Sequence, residues 1–130
     1  FLTMDAEGVF PAISRISGNA VRRFFETGYT STMPGTEHGV TEIQRTLSPC
    51  YGSPFMPRKV KEYSDMLIEK VEQHNSNVFL VNTGMNPETG KRFALDFTRN
   101  TIKQAILTEY PLNDTSEEVL NTLEEIIGSE

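Results

Sequence analysis

The chain has 130 residues, a net charge of −6 and a pI near 5.0, with 37% hydrophobic and 23% charged residues, which is enough for one domain or part of one. Its basic runs, Arg22-Arg23 and Arg58-Lys59-Val60-Lys61, are short and interrupted, so nothing resembles a nucleic-acid-binding stripe. A lone cysteine, Cys50, excludes an internal disulfide and fits a reducing, cytoplasmic setting, and no apolar run approaches the ~20 residues of a membrane span.

In chain order, Phe1 to Met4 is apolar and β-prone, and reads as the tail of a buried strand. Val9 to Ile13 is extended, because Pro11 restricts the residue before it. Asn19 is the expected cap of a short helix carrying Val21, Phe24 and Phe25 on one face, and Gly28 its stop. Residues 30–57 are rich in Thr, Ser, Gly and Pro, and no helix or strand period persists there. So long a stretch usually marks a lid or a binding loop.

Arg58 to His74 is the clearest helix, with Val60, Tyr63, Leu67 and Val71 as its apolar stripe. Asn77 to Asn82 is apolar on both faces in its middle, the pattern of an interior strand. A turn-rich loop over Thr83 to Gly90 leads to an expected short strand, Lys91 to Leu95. The next helix spans Asp96 to Glu109, with Ile102 and Ile106 facing inward and Pro111 ending it. Thr115 and Glu118 have the spacing of a capping box for a last helix, through Ile127, closed by Gly128. Its apolar positions favour core packing over a role as an acidic protein-docking helix. Alternating strands and helices argue for an α/β fold.

Three segments could carry chemistry. Pro34 to Glu42 flanks a Glu37-His38 pair with glycines and hydroxyls, a composition that can close over a ligand and offer N–H groups to an anion. Thr83-Gly84 through Gly90-Lys91-Arg92 follows the interior strand, where open α/β sheets hold their ligands. It lacks the Gly-Lys-Ser/Thr ending of a phosphate loop. Thr98 and Arg99 lie near a helix N-terminus, which favours negative charge. Each has a plainer reading too: a surface loop, a strand connection, an ordinary cap. His74 sits at a helix end and receives no role. With one Cys and two distant His, no transition-metal site is supported, and there is no Ser-His-Asp set.

These segments, in this order, carry a family resemblance. Phe1-Leu2-Thr3-Met4-Asp5-Ala6-Glu7-Gly8-Val9-Phe10-Pro11-Ala12-Ile13-Ser14-Arg15 resembles the Phe-Leu-Thr-Ala-Asp-Ala-Phe-Gly-Val-Leu-Pro-Pro-Val-Ser-Arg segment of ATP-dependent phosphoenolpyruvate carboxykinases. Gly35-Thr36-Glu37-His38-Gly39-Val40-Thr41-Glu42 is similar to that family's Gly-Thr-Glu-Arg-Gly-Ile-Thr-Glu, and Leu80-Val81-Asn82-Thr83-Gly84 with Gly90-Lys91-Arg92 to its Leu-Val-Asn-Thr-Gly and Gly-Lys-Arg. The resemblance runs from Phe1 to about Leu107, with nothing family-like after Tyr110. Departures include His38 for Arg, Ile43 for Pro, Met85 for Trp, Phe93 for an aliphatic residue and Asp96-Phe97 for Lys-Asp.

The resemblance implies part of the family's C-terminal mononucleotide-binding domain, a mixed sheet with flanking helices and a long lid loop at about 30–57. The family converts oxaloacetate and ATP to phosphoenolpyruvate, CO₂ and ADP, a step of gluconeogenesis. Gly35, Thr36, Glu37, His38, Gly39, Thr41 and Glu42 would belong to the lid. Arg92 and Phe93 would flank adenine, and Thr98 would add a further nucleotide contact. The phosphate loop, the ligands of Mg²⁺ or Mn²⁺ and the oxaloacetate-binding Arg and Tyr would lie upstream of Phe1, leaving this chain alone inactive and binding no metal itself. Expected partners are ATP, the remainder of a carboxykinase chain and a second copy through self-association, with no nucleic acid and no membrane. The alternative reading is a non-catalytic, carboxykinase-derived binding or regulatory module.

Overall fold

A computed structural model describes residues 1–35, 38–39, 41–107 and 113–128. Its centre is strand β5 (Val78–Asn82), as the doubly apolar run Val-Phe-Leu-Val predicts. On one side it pairs in parallel with β1 (Leu2–Thr3), Leu2 opposite Val81. On the other it pairs antiparallel with β2 (Ile13–Ile16), Ile16 opposite Val78. The sheet is therefore mixed, in the order β1-β5-β2. Of the segment read as extended over 9–13, only Ile13 enters a strand, and the Asp5 carboxylate holds the Val9 and Phe10 N–H groups in a loop.

Helix α1 (Gly18–Thr27) lies next, with Ala20, Val21 and Phe24 buried. Ser17, not Asn19, holds the N-cap position, and its hydroxyl donates to Asp114 instead of capping the helix. Gly28 ends α1 in the left-handed region at φ 57°, as expected, and a Cβ there would lie 1.7 Å from the Ser48 carbonyl oxygen. Only glycine meets both demands.

Helix α4 (Ser116–Gly128) lays Val119, Leu123 and Ile126 over α1, so its apolar face is core and not a docking surface. These side chains close a core with Phe10, Ile16, Phe24, Tyr29 and Leu80, each contributing about 1.5–3 kcal/mol of transfer free energy. Helix α2 (Val60–His74) packs its Leu67 and Ile68 on the same core.

Four local expectations give way to the structure. Residues 30–57 are not irregular throughout: β3 (Tyr29–Thr32) and β4 (Gln44–Leu47) form an antiparallel hairpin, followed by 3₁₀ turns at Pro49–Tyr51 and Ser53–Phe55. The hairpin hides from a hydropathy reading because its buried positions are Tyr29 and Ser31, and β4 is largely exposed. Lys91 to Leu95 forms no strand, only a bridge between Arg92 and Met85, because Gly90 and Lys91 fold back onto Asn86 through backbone hydrogen bonds. Helix α3 (Leu95–Ile106) starts at Leu95 and buries Thr98 and Thr101, while Ile106 stays 74% exposed. The Thr115 hydroxyl makes no capping bond. The Asp114 carboxylate accepts from the Ser116 N–H at 2.8 Å in its place. Glu109 and Pro111 lie outside the described residues.

Candidate nucleotide crevice

Beyond the carboxyl end of β5 a crevice of about 380 Å³ is lined by Thr83, Arg92, Phe93, Leu95 and Thr98. Next to Thr83, Asn82 is 2% exposed and uses all of its amide. Nδ2 donates to the Phe10 carbonyl at 2.9 Å and the Met85 carbonyl at 3.1 Å. Oδ1 accepts from the Gly84 N–H at 2.8 Å and the Asp5 N–H at 3.2 Å. One side chain thus pins the strand end, the loop after β1 and the loop that opens the crevice.

Asp5 organises the facing loop. Its fully buried carboxylate accepts the N–H groups of Glu7 and Gly8 on one oxygen, and those of Val9 and Phe10 on the other at 2.7 and 2.8 Å. Its carbonyl accepts from the Met85 N–H at 2.8 Å. The two loops approach so closely that a Cβ on Gly84 would sit 2.4 Å from the Asp5 carbonyl oxygen, which is why this position is glycine.

The crevice walls combine charge, rings and open backbone groups. Arg92 is exposed and forms no ion pair among the described residues. The Phe93 N–H donates to the Gly84 carbonyl, and the Phe93 ring stacks on Phe97 with centroids 5.3 Å apart and planes within 8°. Helix α3 carries no side-chain cap at Ala94, so the N–H groups of its first turn face outward. The Thr98 N–H is not one of them: it donates to the Ala94 carbonyl, and Thr98 reaches the crevice by its buried side chain. Such a site suits a flat ligand with a polar rim. It holds no nucleophile–base pair.

The structure brings Arg92, Phe93 and Thr98 together, as the sequence suggests, and adds Thr83 and Leu95. Asn82 and Asp5, which build the site, fall within the quoted motifs, but neither takes a role from the sequence. The available signal is a polar residue closing an apolar strand. The lid candidates are not joined to the crevice: Gly35, His38, Gly39, Thr41 and Glu42 are exposed and none lines it, while Thr36 and Glu37 lie outside the described residues. Cys50 is buried, and burial pushes its thiol pKa up, against a reactive thiolate. Among the described residues no group of three His, Cys, Asp or Glu could hold a metal, and no helix is long and apolar enough to cross a membrane.

The phosphoenolpyruvate carboxykinase family model matches residues 1–123. The match overturns the expected end of the resemblance near Tyr110 and takes in most of α4. The chain is 45% identical over 127 residues to the ATP-dependent phosphoenolpyruvate carboxykinases of Bacillus cereus (strain AH187) and Bacillus thuringiensis subsp. konkukian (strain 97-27). Each alignment covers 95% of this chain and 24% of the relative, so the chain spans about a quarter of the length of these proteins. With three motifs in order, a mixed α/β sheet and a match over nearly its whole length, the chain belongs to the phosphoenolpyruvate carboxykinase family.

Proposed function

We propose that this chain is the adenine-contacting and lid-bearing part of an ATP-dependent phosphoenolpyruvate carboxykinase, whose whole chain converts oxaloacetate and ATP to phosphoenolpyruvate, CO₂ and ADP. The observation that carries the reading is the convergence of Arg92, Phe93 and Thr98 on one crevice beyond the carboxyl end of β5. A purine fits its donor set. Arg92 places a guanidinium with no ion pair among the described residues where it can lie over a base, the stacked Phe93 and Phe97 supply an apolar edge, and backbone groups meet the polar rim. The Pro34 to Glu42 segment, at the end of the β3–β4 hairpin, is the lid in this reading.

ATP supplies the transferable phosphoryl group, and this part of the protein only holds the base. The divalent metal and the phosphates need a clamp of their own, and among the described residues no group of three His, Cys, Asp or Glu could hold the metal. The 130-residue chain alone therefore forms no phosphoenolpyruvate. In the full-length protein, Arg92→Ala weakens ATP binding by about 1–2 kcal/mol, roughly 5- to 30-fold in Kd by calorimetry. An unchanged ATP affinity rejects the assignment of the crevice, and turnover by the 130-residue chain rejects its inactivity.

A further inference from the structure

We infer that Arg45 is a positioning residue for the same site, holding the β3–β4 hairpin against the loop after β1, which packs on Gly84 beside the crevice. The inference rests on the nucleotide reading given above. Arg45 lies in β4 opposite Ser31. Its guanidinium grips Glu7 in two places, Nη2 donating to Oε1 at 2.7 Å and Nε to Oε2 at 3.1 Å. The third nitrogen, Nη1, donates to the Ile126 carbonyl at 3.3 Å, in the last turn of α4, where the helix has no basic residue of its own. A cation there answers the negative pole of the helix. Both charged side chains are about three-quarters covered, at 28% and 25% exposure, so the forked pair is shielded from solvent more than an open surface pair.

The path from this pair to the crevice is short. Glu7 follows two residues after Asp5, and its own N–H is one of the four held by the Asp5 carboxylate. Asp5 in turn takes the Met85 N–H and leaves no room beside Gly84. Strand β3 is separately tied to this loop, through Ser31 N–H to Met4 O at 2.7 Å and Ala6 N–H to the Ser31 hydroxyl at 2.7 Å. Strand β4 differs: Gln44, Thr46 and Leu47 are exposed, and Arg45 is its tie to the loop among the described residues. Loss of Arg45 leaves β4 held by its pairing with β3 alone among the ties named above, and loosens Thr41 and Glu42, which lead into β4, without touching Arg92, Phe93 or Thr98.

The test uses the full-length protein, with two readouts. In phosphoenolpyruvate formation, Arg45→Ala lowers kcat roughly two- to thirty-fold, while the calorimetric Kd for ATP stays within roughly two-fold of wild type. The near-isosteric Glu7→Gln shifts kcat in the same direction, and the double variant is no worse than the larger single loss. Arg45→Lys, which keeps one contact to Glu7, recovers part of the rate. Arg23→Ala, which breaks another Arg–Glu pair to α4, leaves kcat unchanged. In amide hydrogen exchange, which needs no turnover, Arg45→Ala speeds exchange in Gln44–Leu47 and spares Val78–Asn82. Wild-type kcat in Arg45→Ala, additive losses, or unchanged exchange in β4 overturns the inference. A wild-type protein that forms no phosphoenolpyruvate overturns the functional reading instead, and the exchange experiment still decides the clamp.

Discussion

Asn82→Leu should be among the most damaging single changes in the chain, although leucine is similar in size and the site is buried. The change removes four hydrogen bonds at once and supplies none. The N–H groups of Asp5 and Gly84 and the carbonyl of Phe10 are left in buried surroundings without a partner. A stranded buried group costs about 1–3 kcal/mol, so three cost on the order of 3–9 kcal/mol, offset in part by about 1–2 kcal/mol for the added apolar side chain. A net loss of about 4 kcal/mol is a large share of the roughly 5–15 kcal/mol that holds a small domain together. Urea unfolding of the 130-residue chain, followed by circular dichroism, reads this directly. With a slope of about 1–2 kcal/mol/M, the midpoint falls by roughly 2 M or more. Thr83→Val is the internal control. Its hydroxyl donates to the Thr3 carbonyl, which the Thr83 N–H already serves, so about 1 kcal/mol or less is at stake. An Asn82→Leu midpoint as close to wild type as that of Thr83→Val would refute the reasoning.

Gly28→Ala combines left-handed backbone strain with a clash against the Ser48 carbonyl, and should lower stability by more than the roughly 1 kcal/mol usual for such a site, read as a drop in Tm. Tyr51→Phe should be neutral or stabilising in the same assay, because the Tyr51 hydroxyl is buried without a partner and burial pushes its pKa up. The Asp114 carboxyl is held below its ordinary value of 3.8 by the hydroxyls of Ser116 and Ser17 and by the Ser116 N–H. Its stabilising contribution is present above that ordinary value and is lost as pH falls through the lower folded value. A pH series of unfolding midpoints below about pH 4 should therefore fall less steeply in Asp114→Asn than in wild type.

What the sequence reveals here follows the strength of each local signal. Strand β5 and helix α2 are legible because a short run of four apolar residues points to a buried strand, and a 3.6-residue apolar stripe to an amphipathic helix. Gly28 is legible as a stop because its backbone demand is local. The β3–β4 hairpin is not, since Tyr-Thr-Ser-Thr and Gln-Arg-Thr-Leu carry no hydrophobic alternation, and β3 is held by hydrogen bonds with Met4 and Ala6, distant in sequence. On α3 the expectation fails at Ile106, which is exposed, while Ile102 is half-buried and the fully buried positions are Thr98 and Thr101. Arg92, Phe93 and Thr98 are found through motif order. Asn82 and Asp5 escape because their work is to satisfy backbone groups, and no hydropathy pattern marks that.

The position of β5 between β1 and β2 has a consequence for how the chain is made. The Phe1 nitrogen donates to the Phe79 carbonyl, 78 residues later, and among the described residues β2 pairs as a strand with β5. At a synthesis rate of about 5–20 residues per second, β1 spends roughly 4–16 s outside the ribosome before β5 follows it. During that interval α1 and the β3–β4 hairpin can form from neighbouring residues. The middle strand of the three is the last to be made, so the sheet closes in one late, long-range step and cannot grow outward from an edge. Pulse-labelled hydrogen exchange should therefore protect β1, β2 and β5 together.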